Sequence, residues 1–372
     1  MSKFAVLIPT FNRPRLLERA LRSALLLGLD DYQILVIDDG STISEDFSTG
    51  KPLTTKDVVK NFGNKNIIYS RLAQNSGLGA VFEHYRDKLI TSKYFMVLND
   101  DDIFIDPEPI HQAIDILDND ESISFVQISL IRRSDNNEIN ATINLPYPTL
   151  SPDMFIKAYV DDDPIKHTTM YGIFRTKLIK QTDALKSLNL RDFGLEDAFG
   201  IDTDFLFRMA TTGRAAFINK PHVLRRETLG ITERYPASFG YCYYQYVIRG
   251  LKYMRQNATI SMSYKRKFIR YWLGIMVMMY NASIHSDVAD EKGEERIRQH
   301  LRFPFHIYII WEMLSHRIFS LQQKNIKEMF YSSWKYAWQN KNSFTRYFFT
   351  PRRSKINGNT GVRPFWDKGH KR

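Results

Sequence analysis

The chain has 372 residues, 43% of them hydrophobic, which is enough for two or three domains' worth of core and too apolar for a disordered chain. One cysteine, Cys242, excludes a disulfide framework and a cysteine-based metal site, and suits a reducing compartment. The net charge of +11 is unevenly spread: residues 1–240 hold 28 basic and 33 acidic side chains, a net of −5, and residues 241–372 hold 24 and 8, a net of +16. That asymmetry predicts an acidic region needing a cation to receive an anionic substrate, and a basic region suited to an anionic partner.

Met1-Ser2-Lys3-Phe4 enters a strand pattern without the features of a signal peptide. The strand spans Phe4-Ala5-Val6-Leu7-Ile8 and ends at Pro9. Residues 13–27 have helical period, with Leu16, Leu17, Ala20, Leu21 and Ala24 on one face and Gly28 as the stop. Ile34-Leu35-Val36-Ile37 is a second strand, closed by Asp38-Asp39-Gly40-Ser41. Residues 42–62 read as an excursion of loop and short helix. Residues 66–69 and 94–98 are further strands, with a helix over 78–89 between them. This alternation predicts parallel pairing and an α/β, doubly wound sheet. A strand over 123–131 follows, then short strands and helices from 168 to 223. Beyond about 238 the pattern turns helical and aromatic, over 241–255, 264–280, 304–319 and 327–339, and residues 350–372 form a basic tail. The longest apolar run, 271–280, is shorter than the roughly 18 residues a membrane-spanning helix needs.

The chemistry sits at the strand ends, where ligands bind in open α/β sheets. Pro9-Thr10-Phe11-Asn12-Arg13 places small polar groups before a helix, and Asn12 serves equally as a plain N-cap. Asp38-Asp39-Gly40-Ser41 offers a carboxylate to a uracil N–H or a ribose hydroxyl, or makes an Asx-type turn. Asn75-Ser76-Gly77-Leu78-Gly79 precedes a helix but lacks the Gly-Lys-Ser/Thr of a P-loop. Asn99-Asp100-Asp101-Asp102 follows a buried strand. Adjacent carboxylates repel one another unless a hard cation such as Mg²⁺ or Mn²⁺ neutralises them, and the bland alternative is a solvated acidic turn.

In this order and spacing, the four segments resemble glycosyltransferase family 2, nucleotide-sugar enzymes with the GT-A fold. The resemblance covers roughly residues 3–232. It implies a GT-A domain, and with the change of pattern near 238 the chain divides into that domain over 1–237, a basic aromatic-rich helical region over 238–349 and a tail over 350–372. It also implies that Pro9, Thr10, Asn12, Asp38, Asp39, Asn75 and Asp100 line the nucleotide, with Asp39 facing a uracil. Asp101 and Asp102 would hold Mn²⁺ or Mg²⁺, Asp101 as the principal ligand. Asn99 stands where the family commonly has the first Asp of its metal motif.

Gly200-Ile201-Asp202-Thr203-Asp204-Phe205-Leu206-Phe207-Arg208 resembles the family's acidic helix start, with Ile201 where Glu is frequent. The match implies Asp202 as general base, and Glu196-Asp197 competes for that role. Asp202 as an N-cap, with Asp204 helping the helix dipole, is the bland alternative. Residues 168–175 resemble the strand under the acceptor site, and 215–218 with 220–223 the closing strand pair. The family's downstream histidine is missing, so Arg225, Arg226 or Thr228 would meet the diphosphate instead, and Asp204, which would help orient its loop, is a further candidate for the acceptor or diphosphate. His222 comes too early and is expected at the surface.

The implied function is inverting, metal-dependent transfer from a nucleoside diphosphate sugar, UDP favoured, to a hydroxyl of a glycan or lipid-linked glycan in surface polysaccharide biosynthesis. A non-catalytic nucleotide- or glycan-binding relative is the alternative. A nucleotidyltransferase would need a Gly-rich basic loop after the first strand. Tyr264-Lys265-Arg266-Lys267-Phe268-Ile269-Arg270-Tyr271-Trp272 mixes cations with aromatics, as helices on anionic membranes do, so a cytoplasmic, peripheral location is expected. No nucleic-acid motif is present.

Overall fold

The computed structural model describes residues 2–42, 45–46, 52–89, 91–134, 138–160, 164–168, 170–187 and 201–226, and shorter pieces at 245–246, 249–250, 252–254, 256–257 and 259–268. The expected helices over 304–319 and 327–339, the apolar run 271–280, the tail, Glu196-Asp197 and Thr228 lie outside the described residues.

Strand β1 (Ser2–Thr10) buries Phe4 to Ile8 without interruption, as a central strand covered on both faces must. Helix α1 (Pro14–Ala24) buries Leu17, Ala20, Leu21 and Ala24, a single helical stripe, with Pro14 in the first turn where no N–H is needed. It ends three residues earlier than its apolar pattern, and Gly28 turns the chain at φ 65°. β2 (Tyr32–Asp38) is followed by a small ribbon of β3 (Glu45–Asp46) and β4 (Pro52–Leu53), paired only with each other in the described residues. α2 (Thr55–Phe62) starts with a capping box between Thr54 and Asp57 and ends on Gly63 at φ 55°.

β5 (Ile67–Arg71), α3 (Gly77–Leu89), β6 (Ser92–Val97), β7 (Ile103–Phe104), α4 (Glu108–Asn119) and β8 (Ile123–Arg133) follow. Then come β9 (Ile139–Ile143), β10 (Thr149–Leu150), α5 (Pro152–Val160), β11 (Ile173–Arg175), α6 (Lys177–Gln181), α7 (Ile201–Ala210) and β12 (Arg214–Arg226). The expected closing strand pair is one long strand, β12, with a register shift between Ile218 and Val223.

The main sheet has the order β10-β12-β8-β11-β6-β1-β2-β5, with β7 on β12 and β9 on β8. β1 is parallel to both β2 and β6, and β2 to β5. β8 and β12 are parallel to each other, while β11 runs antiparallel between β6 and β8. The C-terminal ends of β1, β2, β5, β6, β8 and β12 therefore share one edge. From β1 the chain winds to one side through β2 and β5, then crosses to β6 on the other side. Ligands bind at such a switch point.

One face of the sheet carries an aromatic cluster. Phe174 of β11 meets Phe125 of β8 at 5.5 Å between centroids and Phe205 of α7 at 4.6 Å, and Phe205 also meets Phe95 of β6 at 5.9 Å. These contacts seat α7 beside β6. The described part of the basic segment joins the same core. Tyr264 and Phe268 are buried, the Tyr264 hydroxyl donates to Phe207 O at 2.7 Å, and the Phe268 ring meets Phe207 at 5.5 Å. These two aromatics are therefore turned into the protein, whereas the interfacial helix expected over 264–272 would need them at a membrane. Among the described residues no helix is long and apolar enough to cross a membrane.

His222 departs from expectation. It is fully buried rather than on the surface, with Nδ1 2.9 Å from Ser129 O and its ring against Phe104. Burial lowers its pKa to about 4. An unfolded histidine titrates near about 6.5, so between these values the unfolded state binds more protons. The His222 contribution is complete above pH about 6.5 and is lost as pH falls towards 4, with a slope of up to about 1.4 kcal/mol per pH unit. Urea unfolding of wild type and His222→Gln at several pH values between 4.5 and 7 should show a shallower pH dependence in the variant. Equal slopes would mean that His222 does not titrate on unfolding.

Candidate active site

At the switch point the ends of β1 and β6 are joined by side chains. Thr10 Oγ1 donates to Asp100 Oδ2 at 2.8 Å, and Arg13 lies 3.2 Å from both Asp100 Oδ1 and Asp101 Oδ2. The expected N-cap role of Asn12 is not what the backbone adopts. Arg13 is the residue that precedes α1, and Asn12 sits at φ 55°, in the left-handed region that Asn tolerates. Its backbone N–H donates to Ser41 Oγ and its Oδ1 accepts from Thr42 N, both at 2.8 Å, so it bolts the β1 loop to the β2 loop.

Asp38 and Asp39 face different tasks. Asp38 accepts from Ser41 N at 2.7 Å, the local turn expected of it, and from the Tyr69 hydroxyl at 2.7 Å, with Arg71 Nε at 3.7 Å. Burial, and then that bond, raise the Tyr69 pKa. Asp39 accepts from Ser76 N at 2.7 Å and Gly77 N at 2.9 Å, capping α3 from 38 residues away. Gly40 permits this approach. Its φ is 74°, and a Cβ there would stand 2.4 Å from the Gln74 carbonyl carbon and 2.8 Å from Asn75 N. The loop holding Asn75 thus rests directly on the Asp39 turn. Pro9 pairs with Ile37 in the strand register, one step before both loops.

The acidic run divides by burial. Asp100 and Asp102 are buried, whereas Asp101 is partly exposed. Asp102 Oδ2 accepts from the Tyr171 hydroxyl at 2.7 Å and from Asn99 Nδ2 at 3.1 Å, and Oδ1 accepts from Arg226 N at 2.8 Å. Asn99 Nδ2 also reaches the Tyr171 hydroxyl at 2.7 Å. The departure at Asn99 thus supplies an amide donor to Asp102, which an aspartate could not do. Burial raises Asp100 to about 7 against the pull of Arg13, and burial with the nearby Asp101 raises Asp102. Burial beside Asp102 also lifts Tyr171.

Sequence reasoning assigned no role to Arg13 or Tyr171. Arg13 lay inside the first motif, so a basic residue next to the nucleotide segment was the available signal. Tyr171 is 69 residues from Asp102, and no spacing rule links them.

Among the described residues no three His, Cys, Asp or Glu side chains converge as a metal cage. The donor set nonetheless fits a hard cation that relies on substrate oxygens. The Asp101 charge raises the proton affinity of its two buried neighbours, Asp100 and Asp102, and Asp101 itself, the most accessible of the three, is held by one arginine.

Asp202 lies in the first turn of α7, partly exposed, with Oδ1 accepting from Thr203 N at 2.8 Å. Asp204 is buried in an ion pair with Arg208 Nε at 2.8 Å, and Arg208 donates to Thr182 O at 2.9 Å. Asp204 therefore supports α7 from the core and presents no exposed face to an acceptor or diphosphate. Arg225 and Arg226 lie partly exposed at the end of β12. Arg225 is 5.6 Å from the Tyr171 ring centroid and donates to His167 O at 3.2 Å.

The family model described as glycosyl transferase family 2 matches residues 5–181. Residues 5–181 are a glycosyl transferase family 2 domain. The match takes in the β1, β2, α3 and β6 ligand segments and Tyr171, and stops before Asp202 and the arginines of β12. An uncharacterized glycosyltransferase of Rickettsia conorii is 28% identical over 136 residues, 36% of this chain and 20% of that protein. Another from Rickettsia felis is 28% identical over 130 residues, 34% and 20% of the two chains. The chain thus spans about a fifth of the curated relatives it matches. Among solved structures, residues 1–349 of S. aureus TarS superpose with a TM-score of 0.55 at 18% identity, covering 80% of this chain and 79% of that one. The same TarS fragment with UDP-GlcNAc gives 0.58 at 17% identity and 80% of each chain. At this identity the likeness establishes the shared GT-A fold.

Two substitutions test the frame of this glycosyl transferase domain. Tyr171→Phe removes the hydroxyl shared by Asn99 and Asp102 and should cost about 1–3 kcal/mol in urea unfolding. A change below about 0.5 kcal/mol would show that these buried bonds carry no stability. Gly40→Ala should lower the melting temperature by several degrees, because the new Cβ meets backbone rather than a movable side chain. An unchanged melting temperature would show that the two loops can separate freely.

Proposed function

We propose that the domain transfers a sugar, with inversion, from a nucleoside diphosphate sugar to a hydroxyl of a glycan or lipid-linked glycan acceptor. UDP is the favoured nucleotide, from the match of Asp39 to a uracil-facing position. One observation carries the reading most. Four separate segments, ending β1, β2, the loop before α3 and β6, are hydrogen-bonded into one edge through Thr10–Asp100, Asn12–Ser41 and Asp39–Gly77. Pro9, Thr10, Asn12, Asp38, Asp39, Asn75 and Asp100 line the nucleotide in this reading.

Asp101, with Asp102 beside it, would hold Mn²⁺ or Mg²⁺, which supplies charge neutralisation at the leaving diphosphate. The chain's own residues do the rest. Asp102 is fixed by Tyr171, Asn99 and the Arg226 N–H, so its carboxylate needs no reorganisation when substrate arrives. Arg13 holds Asp101 in place, 3.2 Å from its Oδ2. Asp202 takes the proton from the acceptor hydroxyl as that oxygen attacks the anomeric carbon from the side opposite the diphosphate. One displacement needs one base and inverts the centre. An anionic membrane surface is proposed as the partner of the basic region, on its +16 charge over residues 241–372. A peripheral, cytoplasmic-face location goes with that partner.

Calorimetry with UDP and Mn²⁺, followed by donor-hydrolysis assays over UDP, GDP and dTDP sugars, tests the reading. Asp202→Asn should keep nucleotide affinity and lose about 10²–10⁴-fold in turnover. Asp101→Ala should lose Mn²⁺-dependent nucleotide binding. Nucleotide binding without turnover of any donor would favour the non-catalytic relative, and full activity of Asp202→Asn would remove Asp202 from the mechanism.

A further inference from the structure

Arg13 is held by the backbone on both sides. Asn12 before it is bolted to the β2 loop through Ser41 and Thr42. Pro14 after it opens α1, and Arg13 O accepts from Leu17 N at 3.0 Å in the first helical turn. The side chain therefore leaves a fixed turn at the end of β1 and reaches across to the end of β6. One nitrogen, Nη1, lies 3.2 Å from Asp100 Oδ1 and 3.2 Å from Asp101 Oδ2. The Arg13 side chain is 47% exposed, so the guanidinium meets the acidic run at its solvent rim rather than in the core.

The other contacts of the run are with neutral donors. Asp100 Oδ2 accepts from Thr10 Oγ1, Asp102 Oδ2 from the Tyr171 hydroxyl and Asn99 Nδ2, and Asp102 Oδ1 from Arg226 N. Among the described residues, the cation in ion-pair contact with the run is Arg13. The difference matters for a metal ion. A neutral donor orients a carboxylate and leaves its charge in place, whereas a guanidinium opposes the charge itself. Repulsion scales with the product of the charges, so a divalent ion at the same distance feels Arg13 twice as strongly as a monovalent one does. A hard divalent ion held by one or two carboxylates takes its remaining ligands from water and substrate phosphate. The diphosphate brings negative charge that offsets the arginine, and the nucleotide-free site lacks it.

We propose that Arg13 is the built-in counter-charge of the acidic run: its guanidinium keeps the nucleotide-free site's affinity for a divalent cation low, so that the cation is held only together with the diphosphate. Arg13 is thereby a specificity-determining residue, selecting the cation–nucleotide complex over the free ion. The inference rests on the cation and nucleotide reading above and adds to it the order in which the site fills.

The test titrates Mn²⁺ into the full chain, free and saturated with UDP, and follows the unbound ion by the electron paramagnetic resonance signal of aqueous Mn²⁺. No turnover is needed. Wild type should hold Mn²⁺ at least about tenfold more weakly alone than with UDP. Arg13→Gln should tighten Mn²⁺ binding to the nucleotide-free protein at least about fivefold, and Arg13→Lys, which keeps the charge, should stay within about twofold of wild type. Melting temperatures check that the variants fold, and Arg13→Met repeats the neutral arm if Arg13→Gln does not. A neutral variant that binds Mn²⁺ alone no more tightly than wild type overturns the proposal and leaves Arg13 as an orienting contact for Asp101. Arg13→Lys behaving as Arg13→Gln does also overturns it, because the charge is then not the cause. Unchanged Mn²⁺ affinity with an about tenfold loss of UDP affinity in EDTA would assign the arginine to the donor phosphates instead. These outcomes leave the cation reading standing. Wild type that takes up Mn²⁺ neither alone nor with UDP would remove that reading, and the role of Arg13 with it.

Discussion

The parallel pairing of β1 with β2 on one side and β6 on the other is the constraint on which the site depends. Parallel strands put their C-terminal ends at one edge, and the crossover between them leaves a crevice there. Thr10 and Asp100, 90 positions apart, meet at 2.8 Å because β1 and β6 are in register from Ser2 opposite Ser92 to Leu7 opposite Val97. A register slip of one residue would turn Thr10 to the other face of the sheet and leave Asp100 buried without its hydroxyl donor. The uninterrupted apolar run of β1 fixes that register less by alternation than by burial on both faces.

Concentrating carboxylates at that edge creates an electrostatic problem, and the chain meets it locally. Asp100 is offset by Thr10 and Arg13, and Asp102 by Tyr171, Asn99 and a backbone N–H. Asp39 spends its charge on the N-terminus of α3, where backbone N–H groups and the helix dipole favour an anion. Asp101 is the carboxylate of the run left most open to solvent, which is why it remains the natural first ligand for a cation in the proposed reaction. The same logic explains Asn99. A fourth carboxylate beside Asp102 would repel it, whereas an amide donates to it.

The buried pair of Asp204 and Arg208 works in a different currency. It ties α7 to Thr182 O through Arg208 and places the aromatic ring of Tyr253 4.6 Å from the guanidinium. Together with Phe205 in the aromatic cluster, this holds the helix that carries Asp202 against the sheet next to β6. The segment around Tyr264 and Phe268 completes the covering of that helix. Aromatics that look interfacial in the sequence are thus spent on the core, because pattern alone does not say which apolar surface a helix meets.

Much of this was legible in the residues alone. Apolar runs and helical stripes gave β1, α1, β2, β6 and the parallel sheet, because period and burial are local properties of sequence. The four motif segments and their order pointed to the nucleotide edge and the acidic run. Other features needed the fold, since they join residues distant in the chain. The cap on α3 comes from Asp39, Asn12 locks onto Ser41 instead of capping α1, and His222 is buried under Phe104. Tyr171 reaches Asp102, and the arginines of β8 stand opposite those of β12. Sequence period determines which face of an element is apolar; only strand pairing and helix docking determine which polar groups end up sharing an edge.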